Sequence, residues 1–141
     1  MKTTITYVEH PAPAEIDALA NGIEQFTAPR TGASDRQPLT FLVHDENGVL
    51  MGGIDGNTEK GWLYISALWM SDQARGSGLG STLMQQAEKL AIQRGCSNIY
   101  LDTLSCQAPE FYKKLGFTIF AELESFPGEH EKIFLRKKLT K

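Results

Sequence analysis

Apolar positions recur along this chain with two different periods, and each change of period marks an element. Thr3–Glu9 (TTITYVE) is rich in β-branched residues and ends at His10, Pro11 and Pro13, which predicts a first strand. Ala14–Phe26 places Ile16, Leu19, Ile23 and Phe26 at spacings of three and four, the apolar stripe of a helix that Gly22 weakens. Ala28–Gln37 (APRTGASDRQ) has a loop's composition, and such loops often border a substrate site. Leu39–Asp45 and Val49–Ile54 flank Glu46, Asn47 and Gly48, where Asn before Gly favours the positive φ of a hairpin turn. Gly56–Gly61 supplies a second turn. Trp62–Met70 (WLYISALWM) follows as a largely apolar strand, expected to be buried on both faces at the centre of a sheet.

The period returns to that of a helix over Leu79–Arg94, with Leu79, Leu83, Ala87, Leu90 and Ala91 on one face and Gly95 as its stop. Asn98–Thr103 reads as the next strand, parallel to Trp62–Met70 if the helix between them is a right-handed crossover. Pro109 opens a short helix that Gly116 closes, and Thr118–Leu123 and Lys132–Leu139 finish the chain as strands. Hairpins early and one strand–helix–strand unit late define an α/β class with a mixed sheet.

Composition narrows the function. The chain has 141 residues, enough for one domain spanning 1–141, and its 41% hydrophobic content excludes intrinsic disorder. A net charge of −3 and a pI of about 5.6 offer no basic footprint for nucleic acid. No apolar run approaches the roughly 20 residues of a spanning helix, and Met1–Pro13 holds no signal-like stretch, so a cytoplasmic location is expected. Cys96 and Cys106 lack CxxC spacing, which points to buried free thiols. His10, His44 and His130 are scattered, and no metal is expected.

The chemistry concentrates between the apolar strand and the amphipathic helix, in Gln73, Ala74, Arg75, Gly76, Ser77, Gly78, Leu79, Gly80 and Ser81. Unpartnered N–H groups and the helix dipole make an anion site there, glycines admit a phosphate close to the backbone, and Arg75 adds charge. A dinucleotide fingerprint requires glycine where Ser81 stands, and a P-loop requires a GK[ST] end that is absent. Taken alone, three glycines also make a merely flexible turn.

The whole pattern says more. Gln73, Gly76 and Gly78, followed by Leu79, Gly80 and Leu83, resemble the acyl-CoA pyrophosphate loop of the GNAT superfamily of N-acyltransferases. Ala108–Phe117 (APEFYKKLGF) is similar to that family's C-terminal motif, and the likeness in element order runs from Leu39 to Leu139. The resemblance implies a GNAT-type α/β fold: a mixed, mostly antiparallel central sheet, splayed at the middle and flanked by helices. It implies acetyl-CoA as co-substrate, held by the backbone of Leu68, Trp69 and Met70, by Arg75, Gly76, Ser77, Gly78, Leu79, Gly80 and Ser81, and by Lys114 with Lys113 at the 3′-phosphate. It also implies Tyr112 as the acid for the thiolate leaving group, a phenol with pKa near 10 being protonated at neutral pH.

Two departures matter. Many members carry an acid on the central strand, where this chain has Ser66, so ordered water is expected to carry the amine proton. Ser71 and Asp72 stand where the family often has proline. Glu122, Glu124, Glu129, His130 and Glu131 lie around a loop that the resemblance implies is beside the acceptor pocket, which suggests a small cationic amine or a polyamine-like molecule, although solvated turn residues are the commoner role. No GxSxG elbow or Cys–His signature suggests an acyl-enzyme, so direct attack is expected. The expected activity is transfer of acetyl to a primary amine of a small acceptor. The rival reading is an acyl-CoA-binding regulatory module without turnover. A toxin acting on aminoacyl-tRNA would want a basic surface. The family habit of pairing through C-terminal strands implies a homodimer.

Overall fold

The computed structural model describes residues 1–140, which divide into two compact units, 1–34 and the described residues from 35 onward. The first unit is dominated by helix α1 (Pro13–Thr31). Pro13 at its first position has no N–H to leave unsatisfied, and Glu15 Oε1 accepts the Ala12 N–H at 3.4 Å. The helix runs past Pro29 to Gly32 (φ 92°), so Ala28–Thr31 is helical where a loop was expected. No residue of α1 is buried. Thr3–Glu9 forms no strand: β-branched residues favour an extended backbone, but a strand exists only where a neighbour completes its ladder.

In the second unit a six-stranded sheet has the order β1-β2-β3-β4-β6-β5. Its strands are β1 (Gln37–His44), β2 (Leu50–Glu59), β3 (Trp62–Met70), β4 (Asn98–Leu104), β5 (Thr118–Leu123) and β6 (Lys132–Lys138). All neighbours are antiparallel except β3 and β4. Helix α2 (Leu79–Gln93) makes the crossover between those two, and α3 (Pro109–Lys114) follows β4. The β1–β2 turn is closed by Asp45, whose carboxylate accepts the N–H groups of Asn47 and Val49 at 2.8 and 2.9 Å. The second turn is tighter than Gly56–Gly61: β2 continues to Glu59, and only Lys60 and Gly61 turn the chain.

Strand alternation sends Leu63 and Ile65 of β3, Ile99 and Leu101 of β4, and Ile133 and Leu135 of β6 to one face. There they join Leu83, Met84, Ala87 and Ala91 of α2 in the core. Each such leucine is worth about 2–5 kcal/mol against alanine. The opposite face carries Tyr64, Tyr100, Asp102 and Phe134, half-buried. Strand β3 is therefore not buried on both faces, and Ser66, Ala67 and Trp69 are exposed.

Two irregularities shape the site. Asp55 pairs with Ala67 and Gly56 with Ile65, so Ser66 is an extra residue, a bulge in β3. The parallel ladder to β4 runs only from Trp62–Asn98 to Ile65–Leu101. Beyond it the strands part, and the backbone of Ser66–Met70 has no partner on β4. The splay expected near Leu68 begins at the bulge.

Candidate active site

A cavity of about 980 Å³ occupies the gap between the parted strands and the start of α2. The loop that enters α2 is built for close approach. Gly76 and Gly78 have φ of 78° and 84°, which only glycine adopts freely, and a β-carbon on either would meet nothing within 4 Å. Gly78 is the N-cap and offers no side chain; the first intrahelical bond runs from the Thr82 N–H to its carbonyl at 3.1 Å. The N–H groups of Leu79, Gly80 and Ser81 therefore have no acceptor within the helix. Arg75 donates through Nε to the Met70 carbonyl at 3.3 Å and pairs with Asp72 at 3.2 Å. Free N–H groups, a helix dipole and a guanidinium at one cavity mouth suit a diphosphate. Gly80 serves packing as well, since a β-carbon there would lie 3.3 Å from the Phe111 ring.

Leu68, Trp69, Met70, Arg75, Gly76, Gly78, Leu79, Gly80 and Ser81 all line this cavity. Two residues stand apart from it. The Ser77 hydroxyl turns back to the Ala74 carbonyl, and Lys114 is exposed on α3 and is not part of the lining.

Tyr112 lines the same cavity from α3 and is only 7% exposed. Its ring meets Phe111 and Phe117 edge to face at 5.1 and 5.7 Å, so it is a core residue and a cavity residue at once. Burial, helped by the negative charge of Asp102, pushes its pKa up to about 12. The phenol holds its proton well beyond the ordinary value near 10.

Sequence reasoning missed Asp102, which lines the cavity beside Ser66 and Thr103. It sits one residue past the last parallel pair, on the face opposite α2. Tyr64 donates its hydroxyl to one carboxylate oxygen at 3.1 Å, and the Lys132 ammonium lies 3.7 Å from the other. Its signal in the sequence was a lone charge inside the apolar strand NIYLDTL. Cys106 was also missed: it is exposed and lines the cavity, whereas Cys96 is the buried thiol. Glu122, Glu124, Glu131 and His130 are not in the lining. A hydrogen bond with Glu122 and that residue's charge raise the pKa of Glu131.

Comparison with known proteins agrees with this geometry. Residues 6–117 match the Acetyltransferase (GNAT) family. An acetyltransferase of Agrobacterium fabrum is 30% identical over 128 residues, covering 90% of this chain and 93% of its own. Blasticidin-S acetyltransferase of Streptomyces morookaense is 39% identical over 102 residues, 70% of this chain and 75% of that one. Among solved structures, an acetyltransferase from Bacillus cereus superposes with a TM-score of 0.84 at 31% identity, covering 95% of this chain and 98% of its own.

The chain belongs to the GNAT family. It is an acetyltransferase whose acetyl donor is acetyl-CoA.

Proposed function

We propose that this enzyme, working as one domain over 1–141, moves acetyl from acetyl-CoA to the primary amine of a small acceptor by direct attack. The observation that carries the reading is the meeting of Tyr112 and Asp102 at one cavity, beside the glycine loop. Acetyl-CoA supplies an activated acyl carbon and a thiolate leaving group. The amides of Leu79, Gly80 and Ser81, with Arg75, hold the diphosphate, and the edge of β3 beyond Ser66, open on its β4 side, holds the pantetheine arm.

Asp102 takes the role left open by Ser66. Its carboxylate receives one proton from the acceptor's ammonium, so that nitrogen attacks with a free lone pair. As the C–S bond breaks, Tyr112 donates its proton to sulfur, and the second proton leaving nitrogen restores the phenol. One proton per turnover goes to water through the partly exposed Asp102. Tyr112, which keeps its proton to high pH, holds the one that sulfur takes, and Tyr64 and Lys132 hold the Asp102 carboxylate in place to receive the one from nitrogen. Cytoplasmic location and a homodimer belong to the same reading.

The test is CoA thiol release across a panel of primary amines. Turnover with at least one amine is expected; tight acetyl-CoA binding without turnover on any would favour a regulatory module.

A further inference from the structure

A second, smaller depression of about 180 Å³ lies over β1, β2 and β3. Leu42, Leu50 and Trp69 wall it, and Gly53 makes its floor. No side chain fits on that floor. A β-carbon on Gly53 would come within 2.9 Å of the Leu42 side chain and of the Phe41 carbonyl oxygen. Register puts Leu42, Gly53 and Trp69 in one row across the sheet, so glycine between two large apolar residues turns a strand surface into a groove. Leu42 is 58% exposed and Trp69 49%, which leaves apolar surface in contact with water that a ligand would displace.

The groove adjoins the larger cavity, since Ala67 and Trp69 line both. Asp55 stands at this junction, one carboxylate oxygen taken by the Thr40 hydroxyl at 2.6 Å. The bulge at Ser66 is what brings Ala67 opposite Asp55.

We propose that this groove holds the non-reacting body of the acceptor, and that the acceptor is a primary amine carrying an apolar ring. The inference rests on acetyl transfer to a small amine, proposed above. An apolar cavity of about 150 Å³ is known to take benzene, so the groove suits a single six-membered ring. Trp69 offers that ring a flat partner. A polyamine would instead lay its methylenes and a second ammonium along the same apolar walls, where Asp55 at the junction is the one lining carboxylate that meets the charge.

Thiol release is compared for phenethylamine, benzylamine, putrescine and spermidine. The ring amines are expected to exceed the polyamines in kcat/KM by about tenfold or more, the scale of one apolar group in a fitted pocket. Leu42→Lys, at an exposed position, should raise the KM for phenethylamine about tenfold and leave the KM for acetyl-CoA unchanged. Equal kcat/KM for putrescine, or an unchanged phenethylamine KM in the variant, overturns the inference. Silence with every amine would instead overturn the proposed reaction. The groove is then read separately, in a Trp62→Phe background, by the fluorescence of Trp69. Saturable quenching by phenethylamine that Leu42→Lys removes supports ring binding, and its absence overturns it.

Discussion

A β-carbon placed on Gly56 would lie 2.0 Å from the backbone carbonyl oxygen of Tyr64. That approach exists because the bulge presses the two chains together where Gly56 pairs with Ile65. Gly56→Ala forces them apart at the point where β3 turns away from β4. A loss of about 1–3 kcal/mol is expected, the usual cost of overpacking. Urea denaturation measures it, and the same variant should lose acetyl transfer, since the splay is set from this point.

Gly78→Asp should weaken acetyl-CoA binding at least about tenfold, or 1.4 kcal/mol. The carboxylate would stand at the N-cap of α2, where the amides meet the diphosphate. Gly78→Ala serves as the comparison: its methyl group meets nothing within 4 Å, so it carries the backbone strain of φ 84° without the charge. Calorimetry on both, with circular dichroism to verify the fold, separates repulsion from strain.

Tyr112→Phe should lower kcat by about 10²–10⁴ with little change in either KM, because the phenol acts on the leaving group. Its pKa of about 12 fixes the sign of the alkaline behaviour. An acid with a raised pKa keeps its proton to higher pH, so wild-type kcat/KM should climb with the neutral fraction of the amine and not fall at pH 10. A fall centred near 10 would mean that the titrating acid is not the buried Tyr112.

Asp102→Asn should cost about 10²-fold or more in kcat/KM near neutral pH, the scale of general base assistance, and the loss should shrink at alkaline pH, where the amine arrives already neutral. Glu122→Gln, Glu124→Gln and His130→Ala, all outside the cavity lining, should retain near wild-type rates. Water relay without Asp102 would leave the Asn variant active.

The sequence patterns carried the hairpin, the α2 crossover, the glycine turn before it and the short helix that holds Tyr112, because each rests on local chemistry: a turn dipeptide, a 3.6-residue period, a helix start, a proline at a first turn. What they did not carry depends on neighbours far along the chain. Thr3–Glu9 has the side chains of a strand but no ladder. Gly56 looks like a turn residue and is a contact residue, demanded by Tyr64. Asp102 is legible as a lone charge in an apolar strand. Its importance emerges only when the parallel ladder is seen to stop one residue before it.

The ladder between β3 and β4 lasts four residue pairs and then opens. What it exposes is main chain, the one part of a protein that every side-chain substitution leaves in place. The donor half of the site is thus tolerant of mutation along most of Ser66–Met70, while the walls at Leu42, Leu50 and Trp69 are free to vary. An enzyme built this way can change its acceptor by single substitutions and keep its fuel, which makes the groove the natural place to re-engineer its selectivity.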